Sequence, residues 1–380
     1  MRASENVLKL EVTRTCSVTD IERMLAQVES SSAPVVDIWL AREVGAALFI
    51  ESRIVALFAT AARSHSVRIV DWVKSGLPGQ CERFESKVEG IAALQYASQI
   101  CNAQKEKVPI SIDAIRSSIE LREGIAEENP NFQSMTYCAF DRDMAHQPLA
   151  FARVRSKADF LSEFVARFKR AFQRERNIDN SNVNTPIYRL ADFVYELFEN
   201  SFRHGCLDKA GQVIHGFRFF RVQRHTGYAR EQFTHRARGF SALQNYFEKV
   251  ALTKGKLRFY EISISDQGLG IVDRFVASRP DYRFTEDAAR SDEARLLEII
   301  EKALSSKLYQ PGAGHGIKRA LGAVAELKGF VSIRFGKTWL FGSYSIVPNE
   351  PNSVALQTVT SDSDLAKVVG THINIIIVAD

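Results

Sequence analysis

The hydrophobic periodicity of its first hundred residues is what most constrains the fold of this 380-residue chain. Apolar residues alternate or run together over residues 7–12, 34–40 and 67–73, which predicts three strands. They recur at helical spacing over residues 17–28, 45–62 and 83–100. Strands that alternate with helices are typical of α/β units, in which each helix crosses back over the sheet. We therefore predict a small α/β domain over residues 1–115.

Length and composition indicate a second globular domain and exclude several classes of protein. A chain of 380 residues with 45% hydrophobic and 25% charged residues is typical of two ordinary domains. The net charge of +5 is too small to indicate general nucleic-acid binding. The five cysteines contain no CxxC pair, so neither disulfides nor a zinc knuckle is expected, and we predict a reducing, cytoplasmic location.

No membrane segment or secretion signal is expected. The most apolar stretch, residues 44–62, contains Glu51 and Arg53, and its apolar positions fall at helical spacing. The first ten residues have no apolar core of the kind that a secretion signal requires.

The rest of the chain divides into a connector and a second domain. The periodic pattern breaks down over residues 102–148, so we predict a connector at 116–150 and a domain at 151–380. That domain begins with a helix whose apolar stripe contains Phe164 and Val165. Thr185 and Pro186 then form the typical start of a second helix, and residues 259–265 alternate as a strand.

Three short motifs follow in this second domain. Glu196 and Asn200 lie four residues apart on the second helix and therefore project from one face. Asp266 follows the predicted strand, where its carboxylate can accept a hydrogen bond from an exocyclic amine such as that of adenine. Gly268 and Gly270 remove side chains where a flat base would approach the backbone.

The third motif is a glycine loop before a predicted helix at residues 317–327. It contains Gly312, Gly314 and Gly316, and it lacks the Gly-Lys-Ser/Thr ending of a Walker A loop. Glycines at a helix start allow backbone N–H groups to converge on phosphate oxygens. Each motif alone also has a plain structural interpretation as a polar helix face, a turn or a flexible loop.

In this order the motifs resemble the N, G1 and G2 boxes of the GHKL ATPase superfamily, over about residues 151–380. Its members include the ATPase component of DNA gyrase, heat-shock chaperones, histidine kinases and MutL. Two further elements are similar to that family. Ser306 and Lys307 resemble the pair that ends the lid in the kinase branch, and Gly370 with Thr371 resembles the Gly-Thr element near the adenine aspartate.

The resemblance implies a fold and a ligand. The fold is the Bergerat fold, an α/β two-layer sandwich with a mixed sheet, and the ligand is ATP with Mg²⁺. Residues 272–311 would form the ATP lid. The implied roles are a magnesium ligand (Asn200), a catalytic carboxylate that activates water or a hydroxyl (Glu196), adenine contacts (Asp266, Gly268, Gly270 and Thr371) and phosphate contacts (Lys307, Gly312, Gly314 and Gly316).

The first domain resembles STAS domains, which are usual partners of the anti-sigma-factor kinases. The resemblance rests on residues 34–40 followed by residues 49–52, where Ser52 would be the phosphoacceptor. The second serine and the glycine of the family motif are replaced by Arg53 and Ile54. A generic α/β interaction domain is the alternative interpretation.

The resemblance leaves several functions open. We expect a nucleotide-dependent ATPase that acts as a switch on a protein partner. The alternatives are a serine/threonine kinase of the anti-sigma-factor type, a sensor that binds ATP without turning it over, and a nucleic-acid-associated ATPase. A homodimer is compatible with each. We expect no following domain of the kind that delivers a cation to the γ-phosphate in gyrase and the chaperones, and no phosphoaccepting helix before the ATPase-like part.

A basic segment between the first two motifs supports the nucleic-acid alternative. Over residues 217–239, arginines interleave with aromatic residues, a pattern that suits stacking on nucleic acid or binding an acidic partner. A basic hairpin on the sheet of the second domain is the plain alternative. The arginines are Arg218, Arg221, Arg224, Arg230, Arg236 and Arg238.

Overall fold

The computed structural model contains two β-sheets. It describes residues 6–41, 47–70, 87–108, 134–141, 216–228, 230–251, 257–305, 315–344, 356–359 and 364–378, with shorter pieces at 161–162, 164–166, 187–192, 194–195, 197, 208–210, 212 and 214. For residues 134–141, 227–228, 230–231, 251, 278, 301–305 and 315–320 it describes the backbone alone.

The first sheet is parallel and has four strands. They are β1 (Val7–Val12), β2 (Val35–Leu40), β3 (Ser66–Val70) and β4 (Gln99–Cys101), in the spatial order β1-β2-β3-β4. Helices α1 (Val18–Ser30), α2 (Ile50–Ser64) and α3 (Val88–Tyr96) lie between them in the chain. Because right-handed crossovers that all progress in one direction place their helices on one face, the three helices form a single layer.

The sequence therefore predicted this α/β alternation correctly, with two differences at the boundaries. The structure begins α2 at Ile50, with residues 42–46 before it outside the description, and the helix predicted at residues 83–100 ends at Tyr96. The last residues of that prediction belong to β4, a strand whose three residues are too few to show periodicity.

The second sheet has seven described strands. They are β5 (Ser134–Asp141), β6 (Gly216–Tyr228), β7 (Leu257–Asp266), β8 (Phe330–Gly336), β9 (Thr338–Ser343), β10 (Gln357–Thr358) and β11 (Val368–Val378). Their order is β10-β9-β8-β11-β7-β6-β5, and every described neighbour pair is antiparallel.

This topology corrects one prediction. The mixed sheet is wrong for the described strands, because β8 and β9 form a hairpin and β11 enters between β8 and β7, antiparallel to both. Within the predicted connector at 116–150, the described strand β5 pairs with β6 at the edge of the antiparallel sheet. This sheet therefore includes residues before 151.

Helices cover one face of the antiparallel sheet. These are α6 (Ile271–Ser278), α7 (Asp292–Ser305), α8 (His315–Glu326) and the helical pieces within residues 161–166 and 187–197. Phe164 and Val165 are buried in this core, as the apolar stripe predicts, and Leu190 and Val194 join them. The strands present an isoleucine-rich face to these helices.

The other face of the antiparallel sheet packs on the helices of the first unit. Helix α2 runs along β11, and Phe217, Phe219 and Val368 belong to the same buried cluster as the core of the parallel sheet. Helices α4 (Arg230–Arg236) and α5 (Ser241–Ala251) cover the remaining part of this face through an aromatic cluster. The layers are therefore parallel sheet, helices, antiparallel sheet and helices, and the two units share a core.

Among the described helices, none combines the length and the apolar character that crossing a membrane would require.

Candidate functional site

The centre of the candidate site is a pair of polar residues where β7 ends. Asp266 is the last residue of β7, and Thr371 lies directly opposite it in β11. The Asp266 Oδ1 atom accepts hydrogen bonds from the Gly268 N–H at 3.1 Å and from the Thr371 N–H at 3.3 Å. These two backbone donors hold a half-buried carboxylate in one orientation. The structure thus brings together two of the residues that the resemblance assigns to adenine.

Two glycines with positive φ build the backbone around this pair. Gly270 has φ of 85° and Gly370 has φ of 80°, a region that residues with a side chain rarely adopt. A Cβ atom on Gly370 would collide with the Asp266 carbonyl oxygen, and one on Gly270 would lie 3.2 Å from the Gly370 carbonyl oxygen. The register of β11 against β8 shifts between Val368 and Thr371, next to the pairing of Thr371 with Asp266.

A buried histidine lies directly behind the Asp266–Thr371 pair, on the face of the sheet toward α2. The His372 Nε2 atom is 2.9 Å from the Val369 carbonyl oxygen, and Nδ1 is 2.7 Å from Ser265 Oγ. Because a carbonyl oxygen only accepts, Nε2 carries the hydrogen and Nδ1 accepts from the serine hydroxyl. Burial, with a smaller effect from the nearby Arg53 charge, lowers the pKa of His372 to about 3, so the ring is neutral.

A cavity of about 450 Å³ lies between the end of α2 and the loop that follows β7. Gly268 and Leu269 line it on one side, and Thr60 and Arg63 line it on the other. Its charged lining residues balance, with Arg63, Lys209 and Lys367 against Glu29, Asp208 and Asp273. The cavity therefore joins the two units next to the candidate adenine site, without a strong preference for either sign of charge.

The described part of the predicted lid is a folded segment with its own packing. Helix α6, a 3₁₀ turn at Ala288–Arg290 and helix α7 cover most of residues 272–305. Phe275, Tyr282 and Phe284 form a cluster of aromatic rings. The Glu298 carboxylate accepts hydrogen bonds from the Tyr282 hydroxyl at 2.8 Å and from the Thr285 N–H at 3.0 Å.

The phosphate and metal half of the predicted site falls largely outside the described residues. Glu196, Asn200, Lys307, Gly312 and Gly314 all lie there. The helix predicted after the glycine loop is α8, which begins at His315, so Gly316 belongs to its first turn. Within the part of the chain that the structure describes, no group of three or more His, Cys, Asp or Glu side chains could hold a metal ion.

The basic segment does not form the surface predicted for nucleic acid. Strand β6 lies inside the sheet between β5 and β7, and the rings of Phe217, Phe219 and Phe220 are buried in the two cores. Arg218 is 1% exposed, and Arg221 forms an ion pair with Glu51 of α2. The alternation of arginine with aromatic residues therefore reflects a strand that is covered on both faces, and these rings cannot stack on bases.

Further along the segment, the structure describes the side chains of Arg224, Arg236 and Arg238 but not that of Arg230. Arg236 Nη1 lies 3.1 Å from His225 Nδ1. The described residues of the segment form the strand β6 and the start of the helical part at α4, and not the two strands of a hairpin.

Ser52, predicted as a phosphoacceptor, is fully buried on α2. Its Oγ atom lies 2.9 Å from the Phe49 carbonyl oxygen and 2.9 Å from Asn374 Oδ1 in β11. A kinase could not reach this hydroxyl in the folded chain. The contact instead fixes α2 against the antiparallel sheet, because Asn374 Oδ1 also accepts from Ser263 of β7 at 2.8 Å.

Comparison with known proteins gives no further guide to the site. No family model, no curated protein and no solved structure matches this chain. The case for a function therefore rests on the motifs and on the geometry described above.

Proposed function

We propose that this chain binds Mg-ATP in a GHKL-type site and acts as an ATPase switch on a protein partner. The observation that carries this proposal is the Asp266 carboxylate, held beside Thr371 by two backbone N–H groups at the end of β7. An oriented carboxylate between glycine-rich turns suits the exocyclic amine of adenine, which must find an acceptor when it leaves water.

The remaining residues fit the same ligand by their chemistry. The amide oxygen of Asn200 is of the hard oxygen class that Mg²⁺ prefers, and Glu196, four residues earlier on the helix that the sequence predicts, would accept a proton from the attacking water. The glycine motif before α8 would present backbone N–H groups to phosphate oxygens. Bound ATP supplies the phosphoryl group, while the chain supplies position and charge neutralisation.

The burial of Ser52 favours a switch over a kinase that phosphorylates its own first unit. A fully buried hydroxyl that holds two elements together is a poor phosphoacceptor. We assign the first unit, STAS-like or a generic α/β interaction unit, to communication with a partner, because its helix α2 packs directly on the strands that carry Asp266 and Thr371.

Isothermal titration with ATP, with and without Mg²⁺, tests the binding step. Asp266→Asn should weaken ATP binding by about 10- to 100-fold, since it replaces a charged acceptor of a hydrogen bond. Asp281→Asn, at an exposed position of the lid segment, is the matched control and should bind as the wild type does. Equal affinity of Asp266→Asn and the wild type would remove the proposal.

Incubation with γ-labelled ATP and Mg²⁺ tests the chemical step. Free labelled phosphate that disappears in Glu196→Ala, with ATP binding retained, is the expected result for an ATPase. Label on the protein would instead identify a kinase. If Glu196→Ala lost ATP affinity as strongly as Asp266→Asn, the catalytic role assigned to Glu196 would be wrong.

A further inference from the structure

Helix α2 of the first unit contacts both backbone segments that form the Asp266–Thr371 pair. The Arg63 Nη2 atom donates to the carbonyl oxygen of Gln267, the residue after Asp266, at 3.1 Å. One turn earlier on the helix, Thr60 Oγ1 accepts from the N–H of Val369, two residues before Thr371, at 3.2 Å. One helix end therefore holds a neighbour of each member of the pair.

A buried chain of hydrogen bonds joins these two contacts. Gln267 Nε2 donates to Ser265 Oγ at 3.1 Å, and Ser265 in turn donates to His372 Nδ1 at 2.7 Å. His372 Nε2 donates to the Val369 carbonyl oxygen at 2.9 Å. Gln267, Ser265 and His372 are each at most 1% exposed, so water does not compete for their hydrogen bonds.

Together with the two contacts of α2, these hydrogen bonds form a closed ring of residues that passes behind the candidate adenine site. We propose that α2 is a positioning element of the nucleotide site, through which the first unit sets nucleotide affinity by fixing the backbone that carries Asp266 and Thr371. The inference rests on the proposed function, because it takes these two residues as the adenine contacts. Arg63 and Thr60 act through the backbone and do not touch the ligand.

A second contact joins α2 to β11, so we expect the helix and the strand to move together. Ser52, two turns before Thr60, lies 2.9 Å from Asn374 in the middle of β11, so α2 and β11 are joined at two points along their length. A partner that displaced α2 would move Val369 and Gln267 with it. The cavity between the α2 end and Gly268 provides space for such a displacement.

The two contacting side chains are suited to substitution. Arg63 is exposed and Thr60 half-buried, so their variants should fold. Arg63→Met and Thr60→Val each remove one hydrogen bond and keep the size of the side chain. Arg63→Lys and Thr60→Ser restore a donor and a hydroxyl. Arg23→Met, at an exposed arginine of α1, is the control for a surface charge.

Two measurements on the full chain test the inference. The first is hydrogen exchange at the Gly268 and Thr371 amides without nucleotide, and the second is the Kd for Mg-ATP. Arg63→Met and Thr60→Val should raise the exchange rate at both amides and raise the Kd by about 2- to 10-fold, as expected for one lost hydrogen bond. The two conservative variants and Arg23→Met should match the wild type, and all should melt at similar temperatures.

The outcomes separate this inference from the proposed function. If Asp266→Asn loses ATP while Arg63→Met and Thr60→Val keep wild-type exchange and affinity, the positioning role is wrong and the nucleotide site stands. Loss of affinity in Arg63→Lys and Thr60→Ser to the same degree would also overturn the positioning role. If the wild-type chain binds no ATP, the proposed function fails, and this inference about nucleotide affinity fails with it.

Discussion

Glu22 of α1 accepts hydrogen bonds from Arg334 of β8, and both side chains are buried between the two units. Arg334 Nε lies 3.2 Å from Glu22 Oε1, and Nη2 lies 3.1 Å from Oε2. A second buried guanidinium, that of Arg53, lies 3.5 Å from the same carboxylate. Burial lowers the pKa of Arg53 to about 9, which still leaves it charged at neutral pH. Two buried arginines therefore share one carboxylate as their counter-charge.

The first prediction concerns this carboxylate. Glu22→Gln should lower the free energy of unfolding by about 3–5 kcal/mol, because it leaves buried positive charges without a counter-charge. Urea denaturation measures the effect. Glu29→Gln, on the same helix, breaks an exposed ion pair with Lys337 and should cost less than about 1 kcal/mol. If the two variants lost similar amounts of free energy of unfolding, Glu22 would not be the counter-charge of the two buried arginines.

The second prediction concerns Gly370. Gly370→Ala should destabilise the fold by at least about 2 kcal/mol, since alanine disfavours φ of 80° and its Cβ would meet the Asp266 carbonyl oxygen. Gly322→Ala in α8 is the matched variant, because no atom lies within 4 Å of its added Cβ. We expect it to stabilise the helix by up to about 1 kcal/mol. Thermal unfolding that ranks the two variants in the opposite order would refute this explanation.

The third prediction concerns Glu89 of α3, a buried carboxylate. Burial, and then repulsion from Glu51, raise its pKa from the usual 4.5 to about 7. The fold thus favours the protonated form, so this contribution to stability is complete below pH 4.5 and is lost as pH rises through 7. Glu89→Gln should be more stable than the wild type above pH 7, by about 1–3 kcal/mol.

Urea denaturation at pH 5 and at pH 8 checks the Glu89 prediction. The difference in stability between variant and wild type should be larger at pH 8. Glu11→Gln, at an exposed position of β1, should change neither value. If Glu89→Gln exceeded the wild type in free energy of unfolding by the same amount at both pH values, the pKa of Glu89 would not be raised.

The elements that the sequence predicted well are those whose signals are local. Strand β1 has the bounds that the alternation of residues 7–12 predicts. The helix expected from residue 17 has Ser17 as its N-cap, and Ser17 forms a capping box with Asp20. The strand before Asp266 was equally clear from its alternation. Periodicity and capping depend on neighbours within one turn or one strand, so they are visible in the chain itself.

The features that the sequence did not predict depend on distant partners. The local pattern places Arg221 on a basic surface, whereas its partner Glu51 is 170 positions away in the chain. The opposition of Asp266 and Thr371 was expected only from the resemblance, because no local pattern sets the register of strands separated by 105 residues. The contact of Arg63 with Gln267 had no signal in the sequence, since it joins one side chain to a backbone carbonyl.

The last prediction concerns the protonation of His372. Because burial lowers its pKa to about 3, the ring should remain the neutral Nε2–H tautomer while the protein is folded. In the unfolded chain the ring takes up a proton near pH 6.5, so its contribution to stability is present above that value and is lost as pH falls toward 3. Nitrogen-15 NMR of the imidazole between pH 8 and 5 should show no titration in the folded state, and titration in urea. If His372 were protonated in the folded protein at pH 5, water would reach the hydrogen-bonded residues behind the Asp266–Thr371 pair.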